Sequence, residues 1–122
     1  MRIKLATVNL EVANPELSKR FYMEVLGMVE DPHRSQSPNF IYLRSAGCDL
    51  TLAHARGSAG AQPSPTMELG FEVENMSGMR EHLNSKGVRK FREESMAWGT
   101  AVEMHDTDGH RVIIYAFKTT AS

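Results

Sequence analysis

Leu10-Glu11-Val12-Ala13-Asn14 and Phe71-Glu72-Val73-Glu74-Asn75 share the pattern apolar-Glu-Val-x-Asn, the second stretch standing 61 residues after the first. Sixty-one is half of the 122-residue chain. A helical segment follows each stretch, and each segment stops at a glycine, Gly27 and Gly87. Further on, Leu50 and Leu52 correspond to Val112 and Ile114 at an offset of 62. Four matched positions out of five alone carry little weight. Helix, glycine stop and later strands all in phase point to an internal duplication.

Each half reads as the same series of elements. Leu5 to Val12 alternates, with Val8, Leu10 and Val12 on one face and Thr7, Asn9 and Glu11 on the other, the pattern of a half-buried strand. Asn14 is placed to cap a helix and Pro15 suits its first position, where the missing N–H costs nothing. Leu17, Phe21 and Val25 recur every four residues and are expected to form the buried stripe. After the polar loop Asp31 to Pro38, a hairpin is expected from Phe40–Arg44 and Asp49–His54.

The second half repeats this with a strand over Met67 to Glu74, a helix over Met76 to Lys86 and a strand near Val88 to Phe91. Its hairpin is expected from Thr100–His105 and Arg111–Phe117 around the turn Asp106-Thr107-Asp108-Gly109-His110. The fold class is therefore α+β, two tandem βαβββ modules, residues 1–55 and 67–122, joined by a linker over 56–66 that carries Pro63 and Pro65. Each helix covers one face of its sheet. The uncovered faces must meet each other or a partner chain, and a cleft follows.

Composition bounds the function. Apolar residues make up 41% and charged residues 24%, an ordinary globular balance. Fourteen Lys and Arg against fifteen Asp and Glu leave a net charge of −1, without the basic excess that phosphate binding requires, so nucleic acid is not an expected partner. The one cysteine, Cys48, allows no internal disulfide and no multi-cysteine zinc site, and suits a reducing compartment. No stretch has the 7–15 apolar residues (about that length) of a signal-peptide core, nor the ~20 of a membrane span, so a cytoplasmic location away from membranes is expected.

The architecture and its residues resemble the vicinal oxygen chelate superfamily, which includes glyoxalase I, extradiol dioxygenases, fosfomycin-resistance enzymes and bleomycin-resistance proteins. The resemblance is carried by Val8-x-Leu10-x-Val12, Arg20-Phe21-Tyr22-x-x-Val25-Leu26-Gly27, Leu83-x-x-x-Gly87-Val88, Trp98-Gly99 and the closing turn 106–110. It implies paired βαβββ modules, commonly in a homodimer, with a small-molecule ligand in a cup formed by the strands. It also implies a divalent metal held by the first and last strands of each module. Carried over, those positions are Thr7 and Glu68 on the first strands and Thr51 and Ile113 on the last. Only Glu68 is a strong ligand, whereas a catalytic metal takes about three. Pairing the second hairpin about its turn sets Glu103 opposite Ile113 and His105 opposite Arg111, and Arg111 would repel a cation near Glu68 and Glu103. No cofactor and no catalytic residue are expected; the alternative is a divalent metal that involves Glu68.

Strand parity fixes which other side chains share the open faces. Thr7, Asn9, Glu11, Phe40, Tyr42, Arg44, Asp49 and Thr51 come from the first half. Glu68, Glu72, Glu103, His105, Arg111, Ile113 and Tyr115 come from the second, with Trp98 close by. Five of these are carboxylates and two are arginines, among flat apolar side chains. That mixture suits a hydrophobic or cationic organic molecule: rings stack on it and carboxylates neutralise it. The expected ligand-binding set is Thr7, Asn9, Phe40, Tyr42, Thr51, Glu68, Trp98, Glu103, Ile113 and Tyr115. The expected function is sequestration of a compound such as an antibiotic. A metal-dependent lyase, isomerase or dioxygenase with substituted ligands is the alternative, and a protein-docking module a third. Among the histidines, His33 and His82 are expected to be exposed, His110 lies in the turn and His54 has helix-side parity. His105 alone shares the cup.

Overall fold

The computed structural model describes residues 1–56 and 62–118. The chain divides into two units, Met1–Gln62 and Pro63–Ser122. The expected linker over 56–66 lies partly outside the described residues. No helix among those residues is long and apolar enough to cross a membrane.

The first unit holds β1 (Thr7–Val12), α1 (Pro15–Glu24), β2 (Val29–Glu30), β3 (Phe40–Arg44) and β4 (Asp49–His54). Its sheet runs β1-β4-β3-β2, with β1 parallel to β4 and the other pairs antiparallel. The second unit repeats the order with β5 (Glu68–Glu72), α2 (Met76–Ser85), β6 (Arg92–Met96), β7 (Gly99–His105) and β8 (Arg111–Phe117), arranged β5-β8-β7-β6. Both are βαβββ.

Local chemistry explains why the helices begin and end where they do. The Asn14 side chain accepts the Leu17 N–H at 3.2 Å, and the Asn75 side chain accepts the Gly78 N–H at 3.0 Å, so each helix has a capped N-terminus. Gly27 and Gly87 follow the helices with φ of 73° and 74°, the left-handed conformation that lets the chain turn back.

The buried stripe of α1 differs from the expected one. Pro15, Ser18, Tyr22 and Val25 are buried, while Leu17 is 46% exposed and Phe21 only half-buried. A strict four-residue spacing drifts by about 40° per step around a 3.6-residue helix, whereas spacings of three, four and three stay on one face. Leu10, Val12, Ile41, Leu43, Leu50 and Leu52 complete the core of this unit from the helix side of its sheet. Val102, Met104, Val112, Ile114 and Leu83 do the same in the second.

A second correction concerns β6, which lies at Arg92–Met96 rather than near Val88–Phe91. Every residue of this edge strand is exposed. Charged side chains on an edge deter pairing with another sheet, and such a strand has no apolar signature. An ion pair ties it to α2 instead: Arg80 Nε donates to Glu93 Oε1 at 2.7 Å and Nη2 donates to Oε2. Arg80 holds the Glu93 carboxyl below its ordinary value of 4.5. A carboxyl lowered on folding stabilises the native state above its unfolded pKa and loses that contribution as pH falls through the folded one. Because the pair is partly exposed, Glu93→Gln should lower Tm by only a few degrees at neutral pH. The difference from the parent protein should vanish in acid, as thermal melts at stepped pH would show.

Candidate functional site

The registers place the open-face side chains. Opposite Glu103 of β7 stands Ile113 of β8, and opposite His105 stands Arg111, as the turn spacing predicts. Glu68 of β5 is level with Arg111, and Gly70 with Ile113. On the outer side of β7, Arg92 of β6 is level with Glu103 and Glu94 with Ala101. These strands form a pocket of about 280 Å³ in the second unit.

Charge occupies one part of the pocket. Arg111 Nη2 donates to Glu103 Oε2 at 2.8 Å and stands 3.2 Å from Glu68 Oε2. Arg92 Nη2 is 3.3 Å from Glu94 and 3.8 Å from Glu103. The hydrogen bond from Arg111 is the main reason the Glu103 carboxyl is held below the ordinary glutamate range, and Glu103 in turn raises the Arg111 pKa. Three carboxylates and two guanidiniums line the pocket, so one negative charge is in excess.

The other part is apolar. Met96, Trp98, Ala101 and Ile113 line it, and Trp98 is 45% exposed. Trp98 sits in the tight connection between β6 and β7, where Met96 pairs with Gly99. Its ring meets Tyr115 and Phe117 edge-on, with centroids 6.0 and 5.7 Å away, and those two rings are 5.4 Å apart. Gly70 makes room for this cluster: a Cβ there would stand 3.3 Å from Tyr115 Cε1. The Trp98 carbonyl accepts the Lys118 N–H at 2.8 Å, which fixes the turn to the end of β8.

In the first unit the same positions carry different chemistry. Asn9 is level with Thr51, and Thr51 with Tyr42. Thr51 Oγ1 donates to Asn9 Oδ1 at 2.7 Å. Tyr42 OH donates to Asp49 Oδ2 at 2.8 Å, while the Arg34 guanidinium lies 5.4 Å over the Tyr42 ring. The Ser45 N–H, then the Tyr42 hydroxyl, lower the Asp49 pKa. Tyr42 and Asp49 occupy the places that Glu103 and Arg111 take in the second unit, so one cross-strand tie is kept with its donor and acceptor exchanged.

Of the ten expected ligand-binding residues, Glu68, Trp98, Glu103 and Ile113 line one pocket, and Tyr115 supports its aromatic wall. Thr7, Asn9, Phe40, Tyr42 and Thr51 belong to the sheet of the first unit. Sequence reading missed Arg92, Glu94 and Met96 because it placed β6 too early. The signal was available in Trp98-Gly99, whose short turn requires a partner strand ending near Met96. His105 is exposed and does not line the pocket, while His110 is buried in the closing turn.

The donor set does not fit a catalytic divalent metal. Ile113 offers no donor atom, and the Thr51 hydroxyl gives its proton to Asn9. Glu68 and Glu103 face a guanidinium. No group of three His, Cys, Asp or Glu able to hold an ion occurs among the described residues.

Residues 4–114 match the profile of the Glyoxalase/Bleomycin resistance protein/Dioxygenase superfamily. A search of curated proteins gives no match. Among solved structures, lactoylglutathione lyase from Agrobacterium tumefaciens superposes with a TM-score of 0.74 at 10% identity, over 94% of each chain. A glyoxalase/bleomycin resistance protein/dioxygenase from Nocardioides gives 0.74 at 19% identity, covering 100% of this chain and 88% of that one. A domain described in the same terms from Frankia gives 0.71 at 19% identity, over 97% and 100%. At such identities the likeness is one of fold.

Proposed function

Because the chain belongs to the Glyoxalase/Bleomycin resistance protein/Dioxygenase superfamily, we propose that it is a small-molecule binding protein, one that sequesters a hydrophobic or cationic compound such as an antibiotic without converting it. The observation that carries this reading is Trp98, held half-exposed in the apolar part of a pocket whose charged part has one negative charge in excess. An exposed indole in a pocket of negative excess offers a flat apolar wall and charge for a planar organic cation, and a desolvated cation–π contact contributes about 2 kcal/mol. Ile113, at the position where the resemblance implies a metal ligand in the superfamily's enzymes, supports this reading because its side chain has no donor atom. In the same reading the protein acts in the cytoplasm as a homodimer. The exposed apolar side chains Leu17, Val29 and Phe117 are what such an assembly would cover.

Two measurements test this. The protein purified without chelators should hold far less than one equivalent of metal, and a melting screen against antibiotics should find compounds that raise Tm with concentration. Near-stoichiometric Ni, Zn, Fe, Co or Mn would replace the proposal with a metal-dependent lyase, isomerase or dioxygenase.

A further inference from the structure

Building on the reading of this pocket as a site for a hydrophobic or cationic body, we infer that it also holds a subsite for a carboxylate carried on the same ligand, that Arg111 receives that carboxylate, and that Glu68 holds its place in the free protein. Arg111 engages its nitrogens unequally. Nη2 donates to Glu103 at 2.8 Å and stands 3.2 Å from Glu68. Among the described residues, Nε and Nη1 of Arg111 make no hydrogen bond. Arg80, in the same unit, shows the contrast: its Nε and Nη2 take the two oxygens of Glu93 as a matched fork. A guanidinium has five donors arranged to grip a planar oxyanion with two of them. The Arg111 fork is unspent, and its side chain is 36% exposed in the pocket.

The two carboxylates on Arg111 are unequal. Glu103 is hydrogen-bonded and its side chain is 27% exposed, while Glu68 is 51% exposed and touches Arg111 at the longer distance. An exposed ion pair contributes little and exchanges readily. With Glu68 turned to water, Arg111 and Arg92 face Glu103 and Glu94 as equal and opposite charges. An incoming carboxylate then replaces the charge of Glu68 rather than adding to it. The aromatic wall begins within the same pocket, so a ring and an acidic group on one molecule can be held together.

Three probes of one shape test this on the full chain: 2-naphthoate, N-methylquinolinium and neutral 2-methylnaphthalene, each titrated by calorimetry. In Glu68→Gln, 2-naphthoate should bind about three- to fivefold tighter and N-methylquinolinium weaker by a similar factor, the scale of one exposed charge pair. The neutral probe should be unaffected. Arg111→Lys keeps the charge and removes the fork, so alone it should weaken 2-naphthoate, and added to Glu68→Gln it should abolish the gain, while the chain still folds. Equal gains in Glu68→Gln and Glu94→Gln, or an undiminished affinity in Arg111→Lys, would overturn the Arg111 subsite and leave the binding reading standing. Failure of all three probes to bind would overturn both.

Discussion

Replacing Gly99 with alanine is expected to destabilise the protein by about 3 kcal/mol, with a fall in Tm of about 10 °C. A Cβ at this position would stand 2.0 Å from the Ala116 carbonyl oxygen and 3.0 Å from Phe117 Cα. Those are backbone atoms of the paired strand, so no rotamer change relieves the overlap. The sheet must open where Gly99 pairs with Phe117. That end of the ladder also fixes Trp98, and ligand binding should weaken along with stability. Gly47→Ala serves as the control: a Cβ there meets nothing within 4 Å, and it should shift the melt little.

Trp98→Ala is expected to weaken binding of N-methylquinolinium about thirtyfold, the effect of losing a binding contribution near 2 kcal/mol. The same change should lower Tm by only a few degrees, because Trp98 is 45% exposed and its ring meets only Tyr115 and Phe117 among the described rings, edge-on. That split separates a ligand wall from a packing residue. A large fall in Tm with unchanged affinity would assign Trp98 to the structure of the turn instead. Calorimetry is the right readout here, since Trp98 is the chain's single tryptophan and its removal silences the fluorescence signal.

Much of the fold was legible because local chemistry marks it. The hairpin Phe40–Arg44 and Asp49–His54 occurs as its alternation predicts, and Asn14, Pro15 and Gly27 begin and end α1 as caps. The duplication was readable because both units repeat those signals in phase. β6 was not, since an edge strand buries nothing and its anchor, Arg80 to Glu93, joins residues 13 apart. The α1 stripe was misread because Ser18 and Pro15 take core positions that hydropathy assigns to Leu17. The turn spacing set Glu103 opposite Ile113 and His105 opposite Arg111, as the register has them, but left out the side chains of β6. Arg111 was expected near Glu68 and Glu103 and meets both, whereas Arg92, on the misplaced β6, was not expected beside Glu94 and Glu103. Only the register of four strands brings those groups together.

The most direct measurement is a titration of N-methylquinolinium into the full chain, followed by Trp98 fluorescence with and without excess EDTA. A saturable change at one equivalent per chain is expected, the same in both conditions. No saturable change, or one that EDTA abolishes, would contradict the binding reading.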